Sequence, residues 1–225
     1  MSTVAVLPAD YSPGSYQASL FGLDDPSWPA LEPHRLQRTW LDDECWVDLV
    51  PRWLRGADLV FGELVARLNW GQREVVMYDR LLPEPRLTWW WTTASSKAEP
   101  LPVLRDIRHD LSRHYDRWFD CIGCNLYRDG NDSVAWHGDR ERFVREDPVV
   151  AIVSVGSARP FQMRPRPGGP SRSWLLGHGD LFVMGGACQH DWMHCVPKVA
   201  HAPGPRLSIM FRHDQAEERL DRLRD

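Results

Sequence analysis

Lysine is nearly absent from this chain. Lys97 and Lys198 are its only two, and the other 25 of its 27 basic residues are arginine. That bias points to a GC-rich genome and so to a bacterial source. Long apolar runs are missing too: no stretch of about eighteen apolar residues occurs, which excludes an evident membrane-spanning helix. The opening MSTVAVLPADYSPGSYQ has neither a basic n-region nor an apolar h-region, so no secretory leader is expected. Cysteine is scarce, odd in number at five, and irregularly spaced. This argues against a disulfide framework and for reduced thiols in a cytoplasmic protein. Cys121 and Cys124 form a lone C-x-x-C. With no second pair and no redox context, they read as small buried residues on a strand. No internal repeat is visible.

What is present suits one domain with a sizeable core in 225 residues, expected to be monomeric. Twelve tryptophans supply an unusual amount of flat aromatic surface for packing or stacking. The net charge of −4 is unevenly spread: residues 1–50 carry −6 and the remainder +2. Arg159, Arg164, Arg166 and Arg172 fall in one stretch without an acid. Local charge, not the total, meets a phosphate backbone; the same pattern also fits a solvated hairpin.

Residues 1–38 are rich in Pro, Ser, Gly and Asp and are expected to form a largely disordered tail. The main domain is expected over 39–215, with a lid at about 70–98 and a C-terminal tail over 216–225. Val60, Phe61, Leu64, Val65 and Leu68 share one helical face, as do Leu104, Ile107, Leu111 and Tyr115. After residue 120 the texture changes to short strands, IGCNLY, VVAIVSV, RPFQMR, DLFVM and RLSIMFR, parted by the turns RDGND, RPGGPS and GHGD. Helices followed by many short strands predict an α+β chain ending in a jelly-roll-like double sheet.

Within WHGDRE, His137 and Asp139 are two apart and face the same way on an extended strand. An imidazole and a carboxylate so placed can bind one metal, with a third ligand from a distant strand. His190 and His194 both fit on spacing, while His178 sits in a turn. Two histidines and one carboxylate make a facial triad that leaves positions open on non-haem iron. In RLSIMFR, Arg206, Ser208, Met210 and Arg212 share a face. Two arginines aimed into a barrel call for anions, and a dicarboxylate would satisfy both. Asn125 and Tyr127 alternate the same way and could donate to it.

Taken in order, PRLT (85–88), NLYRDGNDSVAWHGDRE (125–141), SVGSARPF (154–161), GHGDLFVMGG (177–186), QHDWMHCVPK (189–198) and RLSIMFR (206–212) resemble the AlkB family of nucleic-acid demethylases. The resemblance implies a double-stranded β-helix (jelly-roll) core with flanking N-terminal helices and a substrate lid. It implies iron(II), 2-oxoglutarate and O₂, and repair of alkylated DNA and RNA bases of the 1-methyladenine and 3-methylcytosine type, with formaldehyde released. The family's W-x-H pattern falls on Trp192 and His194, which implies His137, Asp139 and His194 as iron ligands. Arg206, Arg212, Asn125, Tyr127 and Ser208 would bind 2-oxoglutarate. Glu141 would face the base, Trp90 or Trp91 would stack on it, and Arg159 would support the site. The chain departs from the family in three places. Arg140 stands where an acid is common, Ser208 replaces an Asn, and the lid hairpin after PRLT is shortened to WWWTTASSKAEP.

Two other readings fit parts of the pattern. One keeps fold and cofactor but takes a protein side chain or small molecule as substrate. The other is a binding module with a non-catalytic metal, against which the two inward arginines argue. Finally, Gln17, Leu20 and Phe21 in QASLF resemble the peptide by which bacterial repair proteins bind the sliding clamp.

Overall fold

The computed structural model describes residues 25–77, 80–94, 101–138, 148–200 and 204–213. The N-terminal half contributes β1 (Gln37–Trp40), β2 (Cys45–Val50), α1 (Ala57–Arg67), a hairpin of β3 (Glu74–Met77) and β4 (Arg80–Pro83), β5 (Leu87–Thr92) and α2 (Pro102–Tyr115). Then come β6 (Cys121–Tyr127), β7 (Val134–His137), β8 (Val150–Gly156), β9 (Arg159–Pro165), β10 (Arg172–Leu176) and β11 (Asp180–Gly186). The short helix α3 (Cys188–Asp191), β12 (Trp192–Val196) and β13 (Arg206–Arg212) follow.

A seven-stranded antiparallel sheet runs in the order β1-β2-β11-β8-β13-β6-β5, and a four-stranded sheet runs β10-β9-β12-β7. The last strand, β13, lies between β8 and β6 and joins two parts of the larger sheet. Alternation gives that sheet two different faces. Leu207, Ile209 and Phe211 of β13, with Ala151, Val153 and Val155 of β8, enter one core together with Val60, Phe61 and Leu64 of α1 and Leu104, Ile107 and Leu111 of α2. The other face packs against the four-stranded sheet: Val150, Ile152, Phe182 and Met184 meet Phe161, Met163, Trp192 and Val196. The result is an α+β molecule with a double-stranded β-helix core and α1 and α2 on one side.

The edge strands are fastened by a buried carboxylate. Asp48 is fully buried on β2 and accepts bonds from Arg38 Nε at 2.7 Å and Nη2 at 2.8 Å, and from the Tyr115 hydroxyl at 3.1 Å. This ties β1, β2 and the end of α2 together. Burial and the adjacent Asp48 charge push the Tyr115 phenol well above its ordinary range. The segment 37–50 was not expected to be strand, because the acids of 42–44 and Asp48 interrupt its apolar pattern.

Two expectations are corrected. Disorder was expected to residue 38, yet the described part from residue 25 is packed. Ser27 bridges Arg55, and the Trp28 indole donates to Asp110 at 2.9 Å, with its ring 5.8 Å from that of Trp53. The apolar surface of Trp28, Leu31 and Leu36 makes that packing worthwhile. Likewise, the tryptophan run is no lid: it is β5, an edge strand of the large sheet paired with β6 from Leu87↔Leu126 to Thr92↔Cys121. The hairpin β3–β4 precedes PRLT instead of following it. All five cysteines are buried and unpaired to one another. Cys121 and Cys124 lie on opposite faces of β6, as a spacing of three on a strand requires. Among the described residues no helix is long and apolar enough to cross a membrane.

Leu104 is fully buried beneath α2, whereas Leu175 is 67% exposed on β10. Leu104→Ala is expected to cost about 2–5 kcal/mol in urea unfolding. Leu175→Ala should stay within about 0.5 kcal/mol of the parent. Equal midpoints for the two variants would contradict the assigned core.

Candidate active site

β7 and β12 place two imidazoles side by side. His194 pairs in register with His137, and their ring centroids are 4.3 Å apart with planes inclined at 59°. The register then shifts toward Val196↔Val134, a bulge that re-aims the end of β7. His137 Nδ1 lies 2.8 Å from the Ala135 carbonyl. A carbonyl can only accept, so Nδ1 is the donor here, and Nε2 is the ring nitrogen that a metal would take. His194 is 9% exposed and stacks on Phe161 at 5.5 Å. His190 lies in α3, ahead of this pairing. His178 Nδ1 accepts the Gly156 N–H at 3.0 Å and its Nε2 is 3.6 Å from Asp58, so it is engaged on the α1 side. Burial lowers its pKa. Among the described residues no three His, Cys, Asp or Glu side chains converge. Asp139, the third ligand implied by the resemblance, and Glu141 lie outside the described residues.

The inner face of the larger sheet carries the polar groups. Arg206 is 1% exposed. Its Nε donates to the Ser154 hydroxyl at 2.9 Å, but neither Nη1 nor Nη2 has a hydrogen-bond partner among the described residues. Desolvation lowers its pKa, and the Tyr127 phenol, whose ring centroid is 5.4 Å from the guanidinium carbon, works against that shift. Burial in turn raises the Tyr127 pKa. Such a group is costly unless an anion completes it. Ser154 was not foreseen; its alternation with Ile152 in VVAIVSV was the available signal.

Arg206 and Arg212 are six residues apart, so their Cα atoms are separated by about 20 Å along an extended strand. They can clamp one small dicarboxylate only if both arms fold toward the middle. Arg206 reaches Ser154, which stands opposite Ser208. Arg212 lies 5.8 Å from the Trp90 ring, and Trp90 stands opposite Gly123, itself opposite Met210. Measured along β13, the two guanidiniums therefore approach rows about 7 Å apart, close to the span of a five-carbon dicarboxylate. The Asn125 amide points at the Met210 sulfur at 3.7 Å, a weak acceptor that a carboxylate would displace.

Alternation separates the two tryptophans. Trp90 is on the inner face, 38% exposed, with its ring so close over Gly123 that a Cβ there would stand 2.6 Å from it. Trp91 points the opposite way into the helix-side core, 7% exposed, and cannot stack on a substrate from there. Arg159, expected to support the site, is a buried anchor. It is 1% exposed and donates to the carbonyls of Asp129, Asp132 and Pro197, each at 2.8 Å. It ties the loop before β7 to the segment after β12, and so acts as a strut.

A family model described as the 2OG-Fe(II) oxygenase superfamily matches residues 80–219. The chain is 36% identical over 177 residues to alpha-ketoglutarate-dependent dioxygenase alkB homolog 3 of Mus musculus, covering 71% of this chain and 62% of that protein. It is 31% identical over 135 residues to DNA oxidative demethylase ALKBH2 of Homo sapiens, covering 56% and 52%. An uncharacterized protein, R406 of Acanthamoeba polyphaga mimivirus, is 30% identical over 168 residues, with 68% and 86% covered. The chain thus spans about three fifths, 62%, of the mouse relative. The solved structure of OsALKBH1 shares the fold at TM-score 0.55 and 15% identity, covering 78% of this chain and all of that one.

Arg206→Met replaces a buried cation by an apolar side chain of similar length. Without 2-oxoglutarate this variant is expected to melt at or above the parent temperature, since it removes a desolvated charge. Added 2-oxoglutarate should raise the parent's Tm and leave the variant's unchanged. An equal shift in both would exclude Arg206 as the anion receptor.

Proposed function

This chain belongs to the 2OG-Fe(II) oxygenase superfamily, in its AlkB branch, and we propose that it oxidatively demethylates N-alkylated bases such as 1-methyladenine and 3-methylcytosine in DNA, with RNA left open as a second substrate. One observation carries the reading: a buried arginine whose two terminal NH2 groups have no partner among the described residues shares the jelly-roll interior with two paired imidazoles. That combination suits a redox metal working with a carboxylate cosubstrate.

His137, His194 and Asp139 are the proposed ligands of iron(II), and Asp139→Ala should leave the fold intact. Arg206 with Ser154 and Tyr127 receives one carboxylate of 2-oxoglutarate, and Arg212 with Asn125 and Ser208 receives the other. When bound, iron(II), 2-oxoglutarate and O₂ supply the oxidation that hydroxylates the N-methyl carbon, after which the unstable hemiaminal releases formaldehyde. The chain's task is then to bind and orient a base that has left its stack. Trp90, on the open inner face, offers a π-surface worth about 0.5–2 kcal/mol to a cationic base, and Glu141 offers a carboxylate. The similarity to relatives named as DNA oxidative demethylases supports nucleic acid as substrate over a protein side chain or small molecule.

The test is mass spectrometry of methylated oligonucleotides incubated with iron(II), 2-oxoglutarate and ascorbate. The parent should remove the methyl group and Asp139→Ala should not. Trp90→Ala and Glu141→Gln should raise the KM most for cationic bases. Succinate formation that methylated oligonucleotides do not stimulate would favour another substrate.

The QASLF segment, residues 17–21, lies outside the described residues. As a tether to the sliding clamp it would raise the enzyme's effective concentration at newly copied DNA. A fluorescent peptide of residues 12–26 should bind clamp in the micromolar range and lose binding with Leu20→Ala plus Phe21→Ala. No binding at about 100 μM clamp would exclude the tether.

A further inference from the structure

The basic stretch 159–172 does not form a free phosphate patch. Arg159 is a strut, and Arg172 donates to the Trp40 and Leu41 carbonyls at 3.0 and 3.2 Å. The remaining two, Arg164 near the end of β9 and Arg166 just past it, reach the neighbourhood of His137. The guanidinium carbon of Arg164 lies 4.4 Å from the Trp136 ring centroid. Arg166 lies so close to Gly138 that a Cβ there would stand 2.2 Å from its Nη2 and 3.0 Å from its guanidinium carbon. Trp136 and Gly138 are the residues immediately before and after His137.

Arg166 is itself held from the other side. Its backbone N–H donates to the Asp191 carbonyl at 2.7 Å, its Nε to the His190 carbonyl at 2.5 Å, and its Nη2 to the Gln189 carbonyl at 3.3 Å. All three acceptors belong to α3, which runs directly into β12 and His194. Arg166 is exposed, with its guanidinium bonded to α3 on one side and lying against Gly138 on the other. Gly138 is not among the glycines of positive φ. A methyl group added there would push aside the end of the Arg166 side chain and disturb its bonds to the His190 and Gln189 carbonyls.

We propose that Arg166 is a positioning residue of the metal centre: wedged against Gly138 and tied to the α3 carbonyls, it sets the separation and tilt of His137 and His194, with Arg164 on Trp136 as a second support. The proposal rests on the reading that these two histidines hold the iron. Charge and bracing make opposite demands here. A guanidinium beside a divalent ion repels it, so on charge alone its removal would tighten metal binding. A brace that pre-organises ligands requires the reverse, and loss of such outer support weakens metal affinity by about 10–100-fold.

The experiment titrates metal-free protein with Co(II), followed by calorimetry and by the visible absorption band of the bound ion. Arg166→Ala should weaken Co(II) binding at least tenfold and change the band shape, while circular dichroism and the Tm of metal-free protein stay as in the parent. Arg166→Lys keeps the charge but loses the planar fork, and should be weakened likewise. Gly138→Ala should weaken binding in the parent and add nothing further in Arg166→Ala, since the clash partner is gone. Should Arg166→Ala fail to fold, Arg166→Lys and Gly138→Ala alone carry the test. Co(II) binding as tight as the parent's or tighter in the Arg166 variants, or additive losses in the double variant, would overturn the brace. His194→Ala is the control. If it too binds Co(II) normally, the metal assignment falls and the brace with it; if it loses binding while Arg166→Ala does not, the brace alone falls.

Discussion

Successive residues of an extended strand face opposite ways, and on β13 and β6 that alternation lets one sheet serve two incompatible environments. Leu207, Ile209 and Phe211 complete an apolar core against α1 and α2, while Arg206, Ser208 and Arg212 look into the jelly roll. Shifting β13 by one residue would bury both arginines among the helices and turn three large apolar side chains toward the site. The register is thus held by the free energy of the helix-side core, although its chemical consequence appears on the other face.

The site faces are assembled at some cost to stability. A guanidinium whose two NH2 groups have no partner among the described residues, a fully buried Tyr127 and a pair of adjacent imidazoles all work against a quiet interior. The compensation lies elsewhere in the molecule: in the continuous apolar packing under α1 and α2, and in the answered carboxylate of Asp48. Arg159 and Arg206 show how little residue type says about role. Both are buried arginines, but one meets three backbone carbonyls and the other leaves room for an anion.

Much of this was legible in the amino-acid sequence. The strand RLSIMFR alternates polar and apolar residues, so Arg206 and Arg212 could be placed on one face, and Asn125 and Tyr127, two apart on NLY, could be paired likewise. The helices were visible in the spacing of Val60, Leu64, Leu104 and Leu111. Other features depended on partners far away in the chain. The strand Cys45–Val50 is packed on both sides and carries Asp48 in its middle, so no period betrays it. The choice between Trp90 and Trp91 requires knowing that the run is an edge strand and which of its faces meets α2. Arg159, Arg164 and Arg166 read alike as surface charge, because their carbonyl and aromatic partners come from segments about 20 to 40 residues away. Spacing alone could not separate His190 from His194; in the fold it is His194 that stands opposite His137, which supports the proposed choice.

The insertion of β13 between β8 and β6 bears on how the protein is made. A ribosome delivers residues 206–212 after every other described element except His213 has emerged. Until then β1-β2-β11-β8 and β6-β5 have no strand to join them, and the nascent chain lacks Arg206 and Arg212. Closure joins contacts of large sequence separation, the slow kind of step in β-rich folding. The chain therefore acquires its central strand and the two arginines proposed to receive the anion in the same late event, and a product truncated ahead of Arg206 would be left with exposed strand edges where the centre of its sheet should be.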